Sequence, residues 1–164
     1  MEKYRAIIKR GKYSYYYKGD ELVFTLKLKS KSLSFGFSVE CFIYDINDNE
    51  ILAFMQNNFI IGIKLKLLTQ SLPHIISIER KNIDSYNMKV MGKEIYLKIT
   101  YMSYLMKSFG EFFIDGRSYG KVVRVKKNMM RAEFEFNFEE DSEINYYCMI
   151  LFTMHTVDYS NVGY

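Results

Sequence analysis

Hydrophobic and polar residues alternate along most of the chain. Residues 22–31 show the pattern plainly, with Phe24, Leu26 and Leu28 on one face and lysines on the other. Because successive side chains of a strand point to opposite faces of a sheet, this segment predicts a half-buried β-strand. The same reasoning predicts strands at residues 35–43, 51–55, 59–68, 75–80, 86–90, 94–101, 112–114, 121–127 and 132–138.

Turn-forming residues separate these predicted strands. Residues 45–50 are rich in Asp and Asn, which tolerate left-handed backbone, and Asp115-Gly116 is a strong hairpin signal. Residues 91–93 and 127–130 read as further turns, and Pro73 breaks the chain. About nine to twelve strands, spaced roughly 8–12 residues apart, indicate an antiparallel barrel or sandwich.

The alternation stops at residues 144–157, an almost continuous apolar run without charge. A helix needs roughly 20 apolar residues to cross a bilayer, so this shorter run predicts a buried core element. Asp141 or Ser142 can cap a helix, and Glu143 suits its positive end. We predict strands over about 3–138 and a buried helix over about 142–157; the alternative is a final core strand.

Composition agrees with a mainly β protein of one domain, residues 1–164. Hydrophobic residues make up 49% of the chain, and its 15 Tyr and 13 Phe favour pleated, half-buried surfaces. The net charge is +4, but residues 1–31 carry nine Lys or Arg and three acids, which gives +6 there. The alternation and the composition leave an antiparallel barrel and a sandwich both open.

Cysteine usage and the N-terminal sequence bear on the expected compartment. Cys41 and Cys148 lie in apolar sequence, which is typical of buried free cysteines. The first ten residues lack the apolar stretch of a signal peptide. We therefore expect a cytoplasmic protein, a compartment that suits two unpaired thiols.

Four segments carry a resemblance to a known family. Two of them, residues 42–51 and 113–116, read as hairpins with an Asp-containing turn. The third, residues 76–81, reads as a short strand ending in Arg-Lys, and the fourth, residues 150–158, reads as an apolar helix end. Together they resemble the tubby-like superfamily, which includes tubby C-terminal domains, LURP-one-related proteins and phospholipid scramblases. The chain departs from that pattern at Asn49, where the family commonly has glycine.

The resemblance implies a closed barrel, typically of twelve strands, threaded by a central hydrophobic helix. The expected fold is therefore a closed antiparallel β-barrel of about nine to twelve strands with a buried hydrophobic C-terminal helix. Members of the superfamily bind phosphoinositides, membranes or proteins, but no phosphoinositide-binding signature can be transferred to positions of this chain. The family helix usually carries small residues, whereas this run carries larger ones: Tyr146, Tyr147, Phe152 and Met154.

No motif indicates catalysis. The chain has no nucleophile elbow, glycine-rich phosphate loop, HExxH sequence or zinc-ligand spacing, so we expect no enzyme and no catalytic, cofactor or metal residues. His155 lies in the apolar run and reads as a hydrogen-bonded core histidine. On a helix Cys148 and His155 would be separated by about 10.5 Å of rise, too far for a direct hydrogen bond. The acidic residues at 139–143 read as a solvated turn before the helix.

Exposed cations are the best candidates for a binding surface. A lysine stripe on one strand has a spacing of about 7 Å, close to that of successive phosphates. A second cluster surrounds the turn at 127–130, where Met129 and Met130 suit insertion at a membrane surface. The candidate residues are Lys27, Lys29 and Lys31 in the stripe and Arg124, Lys126, Lys127 and Arg131 in the cluster. The alternative for both is protection of strand edges by charge.

The expected function is a non-enzymatic binding domain that engages an anionic membrane lipid or a protein partner through basic surface loops. One alternative is a lipocalin-like or fatty-acid-binding-like carrier of a small apolar ligand. Another is a small inhibitor or immunity-type protein whose acidic residues 139–143 meet a basic partner. We expect no nucleic-acid partner, because the aromatic residues fall mostly on predicted core faces and the pI is near 8.9. We also expect no transmembrane segment.

Overall fold

The computed structural model describes residues 3–9, 13–33, 36–59, 62–82, 85–100, 108–128 and 130–161. Within these ranges it describes the backbone alone at residues 30–33, 36–37, 58–59, 62–63, 108 and 156–161.

The described chain forms twelve strands and then one helix. The strands are β1 (Tyr4–Lys9), β2 (Ser14–Lys18), β3 (Glu21–Leu33), β4 (Gly36–Tyr44), β5 (Glu50–Phe59), β6 (Gly62–Gln70), β7 (Ser77–Asn82), β8 (Ser85–Val90), β9 (Lys93–Ile99), β10 (Ser108–Ile114), β11 (Arg117–Lys127) and β12 (Arg131–Phe138), and the helix is α1 (Ile144–Asn161). The predicted mainly β fold with a C-terminal helix is therefore confirmed, and the alternative of a final strand is wrong.

Except for β6 and β7, strands that are neighbours in sequence pair with each other and form one antiparallel sheet. In addition, β1 pairs with β12, so the hydrogen-bonded order runs β6-β5-β4-β3-β2-β1-β12-β11-β10-β9-β8-β7. The ends of this order, β6 and β7, approach each other through Gln70, whose side-chain amide exchanges two hydrogen bonds with the backbone of Ile76 (2.8 and 3.1 Å). The barrel is therefore nearly closed, with one seam between β6 and β7.

Helix α1 is buried against the inner face of the barrel. The side chains from Tyr147 to Met154 have no solvent exposure on any side of the helix. The Phe152 ring lies 5.1 Å from the ring of Phe136 and 5.2 Å from that of Phe134, both on β12. On other sides of the barrel, α1 also contacts β3 and β8 through its aromatic side chains. An all-round apolar run suits this position, because no side of the helix meets water between Tyr147 and Met154.

Polar contacts attach the start of α1 to one end of the barrel. The backbone N–H of Ile144 donates to the Ser142 hydroxyl at 3.3 Å, so Ser142 caps the helix. Asp141, the other predicted cap, instead accepts from Tyr4 and pairs with the Lys18 ammonium at 2.9 Å. The helix begins at Ile144, two residues later than predicted, because these contacts hold the preceding residues outside it.

Many predicted strands begin or end at other residues than in the structure, and two of the differences concern more than a boundary. Phe59, predicted to begin a strand, instead ends β5. The alternation of residues 121–127 predicts that Val123 and Val125 share one face against Arg124 and Lys126, but in β11 Val122 is the buried residue and Val125 is 57% exposed. A β-bulge between Arg124 and Lys126 causes this change, because an extra residue shifts the alternation of faces.

Candidate binding surface

The two predicted basic clusters lie on one continuous part of the outer wall. Strands β1 and β2 separate β3 from β12, and Lys9 on β1 pairs directly with Arg131 on β12. Tyr13 precedes β2 and lies 5.6 Å from the Lys27 ammonium of β3. We call this part of the outer wall, together with its rim, the basic face. Its members are Lys9, Tyr13, Tyr15, Lys27, Lys29, Lys126, Met130 and Arg131 and, at the rim opposite the buried Ala132, Lys127.

Tyrosines and cations alternate across the basic face. The Lys9 ammonium lies 5.2 Å from the centre of the Tyr15 ring, and the rings of Tyr13 and Tyr15 are 6.4 Å apart. Further along the same pair of strands, the guanidinium of Arg5 on β1 lies 4.8 Å from the ring of Tyr17 on β2. Such cation–π contacts hold long cationic side chains close to the wall while leaving their charge accessible.

Exposed apolar side chains flank these cations. Tyr13, Val125 and Met130 are 42%, 57% and 59% exposed, and they lie on or beside β2, β11 and β12. Asn128 shapes the turn before Met130, because its side-chain oxygen accepts from the backbone N–H groups of Met130 and Arg131 (2.9 and 2.8 Å). The basic face therefore combines positive charge with apolar tips at one rim of the barrel.

Some charge on the basic face is compensated within the protein. The Arg131 guanidinium contacts the Glu133 carboxylate at 2.7 Å, and Lys126 is the cross-strand partner of the same glutamate. Lys29 is the cross-strand partner of Glu40 on β4. Six cations against two acids leave a net positive surface, which favours an anionic partner.

The predicted candidates differ in their structural positions. Lys27, Lys29, Lys126 and Lys127 are exposed, as a binding surface requires, and Arg131 is half-buried at the rim. Arg124 is also half-buried, because the bulge sets it opposite the buried Phe134. The side chain of Lys31 and the whole of Met129 lie outside the described residues.

Sequence reasoning missed Lys9, Tyr13 and Tyr15. It noted the high positive charge of residues 1–31 but assigned no individual strand before residue 22, although Tyr13, Tyr15 and Tyr17 occupy alternate positions. These tyrosines lie on the outer wall, whereas the argument against nucleic acid placed the aromatic residues mainly in the core. Pairing of β1 with β12 joins residues far apart in the chain, which a local pattern does not reveal.

The histidines and cysteines serve packing and attachment. The side chain of His155 is half-buried, with its Nδ1 atom 3.3 Å from the Tyr86 hydroxyl, and burial lowers its pKa to about 3. Both cysteines are free and buried, and burial raises the pKa of the Cys148 thiol. His74 lies at the opposite end of α1, where its Nε2 atom is 3.2 Å from the Glu143 carboxylate.

The acidic residues before the helix contact the barrel itself. The hydrogen bond from Tyr4 and the Lys18 ammonium lower the pKa of the Asp141 carboxyl. The carbonyl of Glu140 accepts from the Asn145 side chain at 2.8 Å, and the Asn145 oxygen accepts from the Tyr119 hydroxyl at 2.6 Å. Part of this acidic segment therefore attaches the helix to its surroundings.

Comparison with known proteins gives no relative: no family model matches the chain, and neither does any curated protein or solved structure. The resemblance to the tubby-like superfamily therefore stays a prediction. Among the described residues, no group of three His, Cys, Asp or Glu side chains could hold a metal ion. None of the described helical sequence has the length and apolar character that crossing a membrane requires.

Proposed function

We propose that this protein is a non-enzymatic binding domain whose basic face attaches to the surface of an anionic phospholipid membrane. The proposal concerns contact at the membrane surface. Phosphate and carboxylate headgroups would lie against the cations, while the apolar tips at the rim would enter the headgroup layer.

The observation that carries the proposal is the cross-strand placement of Lys9. It lies next to Arg131 on one side and reaches the Tyr15 ring on the other, so it connects the β3 lysines with the β12 cluster. Each cation near an anionic membrane contributes about 1 kcal/mol, and several together are needed for measurable attachment. A stripe on a single strand would supply too few.

Apolar tips beside the cations favour a membrane over a free anion. Tyrosine is enriched at membrane interfaces because its ring is apolar and its hydroxyl is polar. Tyr13 and Met130 are exposed at the same rim as Lys27 and Lys127. A soluble phosphate ligand would use the cations but would gain nothing from these apolar side chains.

Vesicle flotation tests the proposal directly. The protein should float with vesicles of phosphatidylcholine and phosphatidylserine at low salt, and attachment should weaken as salt rises, since exposed charges are screened. Phosphatidylcholine vesicles alone should bind weakly. The double variant Lys9→Glu with Lys27→Glu should weaken attachment at least about tenfold, because each reversal removes one attraction and adds one repulsion.

A matched control separates the basic face from net charge. Lys64 and Lys66 are exposed lysines at alternate positions of β6, three strands beyond β3. Lys64→Glu with Lys66→Glu changes the net charge equally, so its effect should be much smaller. Equal losses in the two double variants would contradict a localised membrane surface, as would absence of flotation at low salt.

An environment-sensitive fluorophore tests which end meets the lipid. Labels on Met130→Cys and Ile46→Cys would lie at opposite ends of the barrel, and both native cysteines are buried. Only the label at position 130 should shift its emission on adding anionic vesicles. A single-stranded oligonucleotide that binds the basic face and displaces the vesicles would assign this surface to nucleic acid instead.

A further inference from the structure

At the seam between β6 and β7, two strands of the described chain each have one edge without a strand partner. These strands are the two ends of the hydrogen-bonded order in the described chain, and Gln70 bridges them only near the β6–β7 connection. Strand edges carry backbone N–H and C=O groups that can pair with another extended chain. The seam is therefore the place where this barrel can accept a further strand.

Apolar side chains line the seam. Leu65, Leu67 and Ile78 are half-buried at the margin of the core. Outside them, Leu68 is 41% exposed on β6, and Ile75 is 79% exposed just before β7. Backbone edges together with apolar side chains are what β-strand addition uses, the first for affinity and the second for specificity.

The outer margin of the seam is positive on the β6 side. Lys64 and Lys66 are exposed, and their cross-strand partners on β5 are the uncharged Asn57 and Met55. On β7 the Lys81 ammonium lies 3.0 Å from the Glu79 carboxylate, and the half-buried Arg80, whose guanidinium lies 5.2 Å from the Tyr86 ring, adds a further positive charge. Acidic side chains on an added strand would therefore meet the lysines.

We propose that an extended segment of a partner protein, with alternating apolar and acidic residues, binds as a strand at this seam. Its apolar residues contact Leu65, Leu67 and Ile78, while its acidic residues lie beside Lys64 and Lys66. The length of β7 (Ser77–Asn82) limits full pairing to about six residues of the partner, since strand pairing is residue by residue.

The same lysines oppose a second copy of this chain as the occupant. Antiparallel pairing of two β6 edges would bring lysines of one copy against lysines of the other, and like charges across strands are destabilising. Lysine on an exposed edge is a common protection against such association. An acidic strand escapes that repulsion, so the seam discriminates by charge.

A synthetic peptide of alternating valine and glutamate, labelled for fluorescence anisotropy, tests the proposal. It should bind at least about tenfold more tightly than a peptide of alternating valine and lysine, because two favourable charge pairs are replaced by two repulsions. A scrambled peptide of the same composition should bind more weakly, since its apolar residues fall on both faces. Amide hydrogen exchange should slow in β6 and β7 when the glutamate peptide is added.

Charge reversal supplies the decisive comparison. Lys64→Glu with Lys66→Glu should reverse the preference, so that the lysine peptide binds better. Lys27→Glu with Lys29→Glu has the same spacing on β3 and should leave peptide binding unchanged. The proposal is overturned if the glutamate peptide does not bind, if its preference survives reversal at β6, or if protection appears on other strands.

Discussion

Replacing Phe152 with alanine tests whether α1 is an integral part of the barrel core. The Phe152 ring is fully buried and lies 6.0 Å or less from the rings of Phe109, Phe134 and Phe136. Truncating a buried phenylalanine costs about 3–5 kcal/mol, because it removes apolar burial and leaves a cavity. A domain of this size loses about 2–4 °C of Tm per kcal/mol, so Tm should fall by about 6–20 °C.

Urea unfolding followed by circular dichroism measures the loss in free energy of unfolding, and thermal unfolding followed by the same signal measures the fall in Tm. Phe113→Ala is the matched control, because Phe113 is half-buried on the outer face of β10 and contacts Tyr96 there at 6.0 Å. The control should cost about 1 kcal/mol, as is usual away from the core. A loss for Phe152→Ala no larger than that of the control would refute the packing of α1 against the barrel wall.

Three further measurements test other parts of the structure. Burial lowers the pKa of His155 from 6.5 to about 3, so the unfolded chain binds more protons than the folded protein between these pH values. The free energy of unfolding should therefore fall as the pH drops from 6.5 to about 3, and His155→Gln should remove this part of the pH dependence. The Asp141 pKa lies below 3.8, chiefly because the carboxylate accepts a hydrogen bond from Tyr4. The contribution of Asp141 to the free energy of unfolding should therefore be complete above that pH and lost as the pH falls below it, and Asp141→Asn should weaken the dependence of stability on pH in this acid range. A Cβ at Gly120 would lie 2.7 Å from the Phe138 ring, so Gly120→Ala should destabilise by about 1–3 kcal/mol in urea unfolding. Ser118→Ala on the same strand should cost less, because it removes only an exposed hydrogen bond from the Ser118 hydroxyl to Glu111 at 2.7 Å.

Local patterns predict much of this fold because its hairpins are local structures. The turns Met91-Gly92 and Asp115-Gly116 have positive φ values at both residues, between 49° and 81°. A two-residue hairpin turn whose twist matches that of the strands requires such values. The faces of β3 follow the predicted alternation, with Phe24 and Leu26 buried and Lys27 exposed. Where each strand pairs with the next one in the chain, period and turn together determine the register.

Features that depend on distant pairing could not be predicted in this way. The contact of Lys9 with the β12 cluster follows from β1–β12 pairing, which joins the two ends of the strand meander. The bulge between Arg124 and Lys126 changes which side chains at the end of β11 face outward, and no Gly, Asn or Asp in this segment indicates a bulge. The seam likewise depends on how completely twelve strands close, which is a property of the whole sheet.

The interior packing helps to explain why both proposed sites lie on the wall. The buried stretch of α1 from Tyr147 to Met154 has few polar groups, and one of them, the Thr153 hydroxyl, donates to the Ile150 carbonyl at 2.6 Å. The start of the helix is held at one end of the barrel by Lys18 and Asp141. The exposed tips of Tyr13 and Met130 lie towards the opposite end, where the strand connections follow β1 and β11. A membrane approaching that end would meet the cations and apolar tips together, while the seam between β6 and β7 stays accessible from the side.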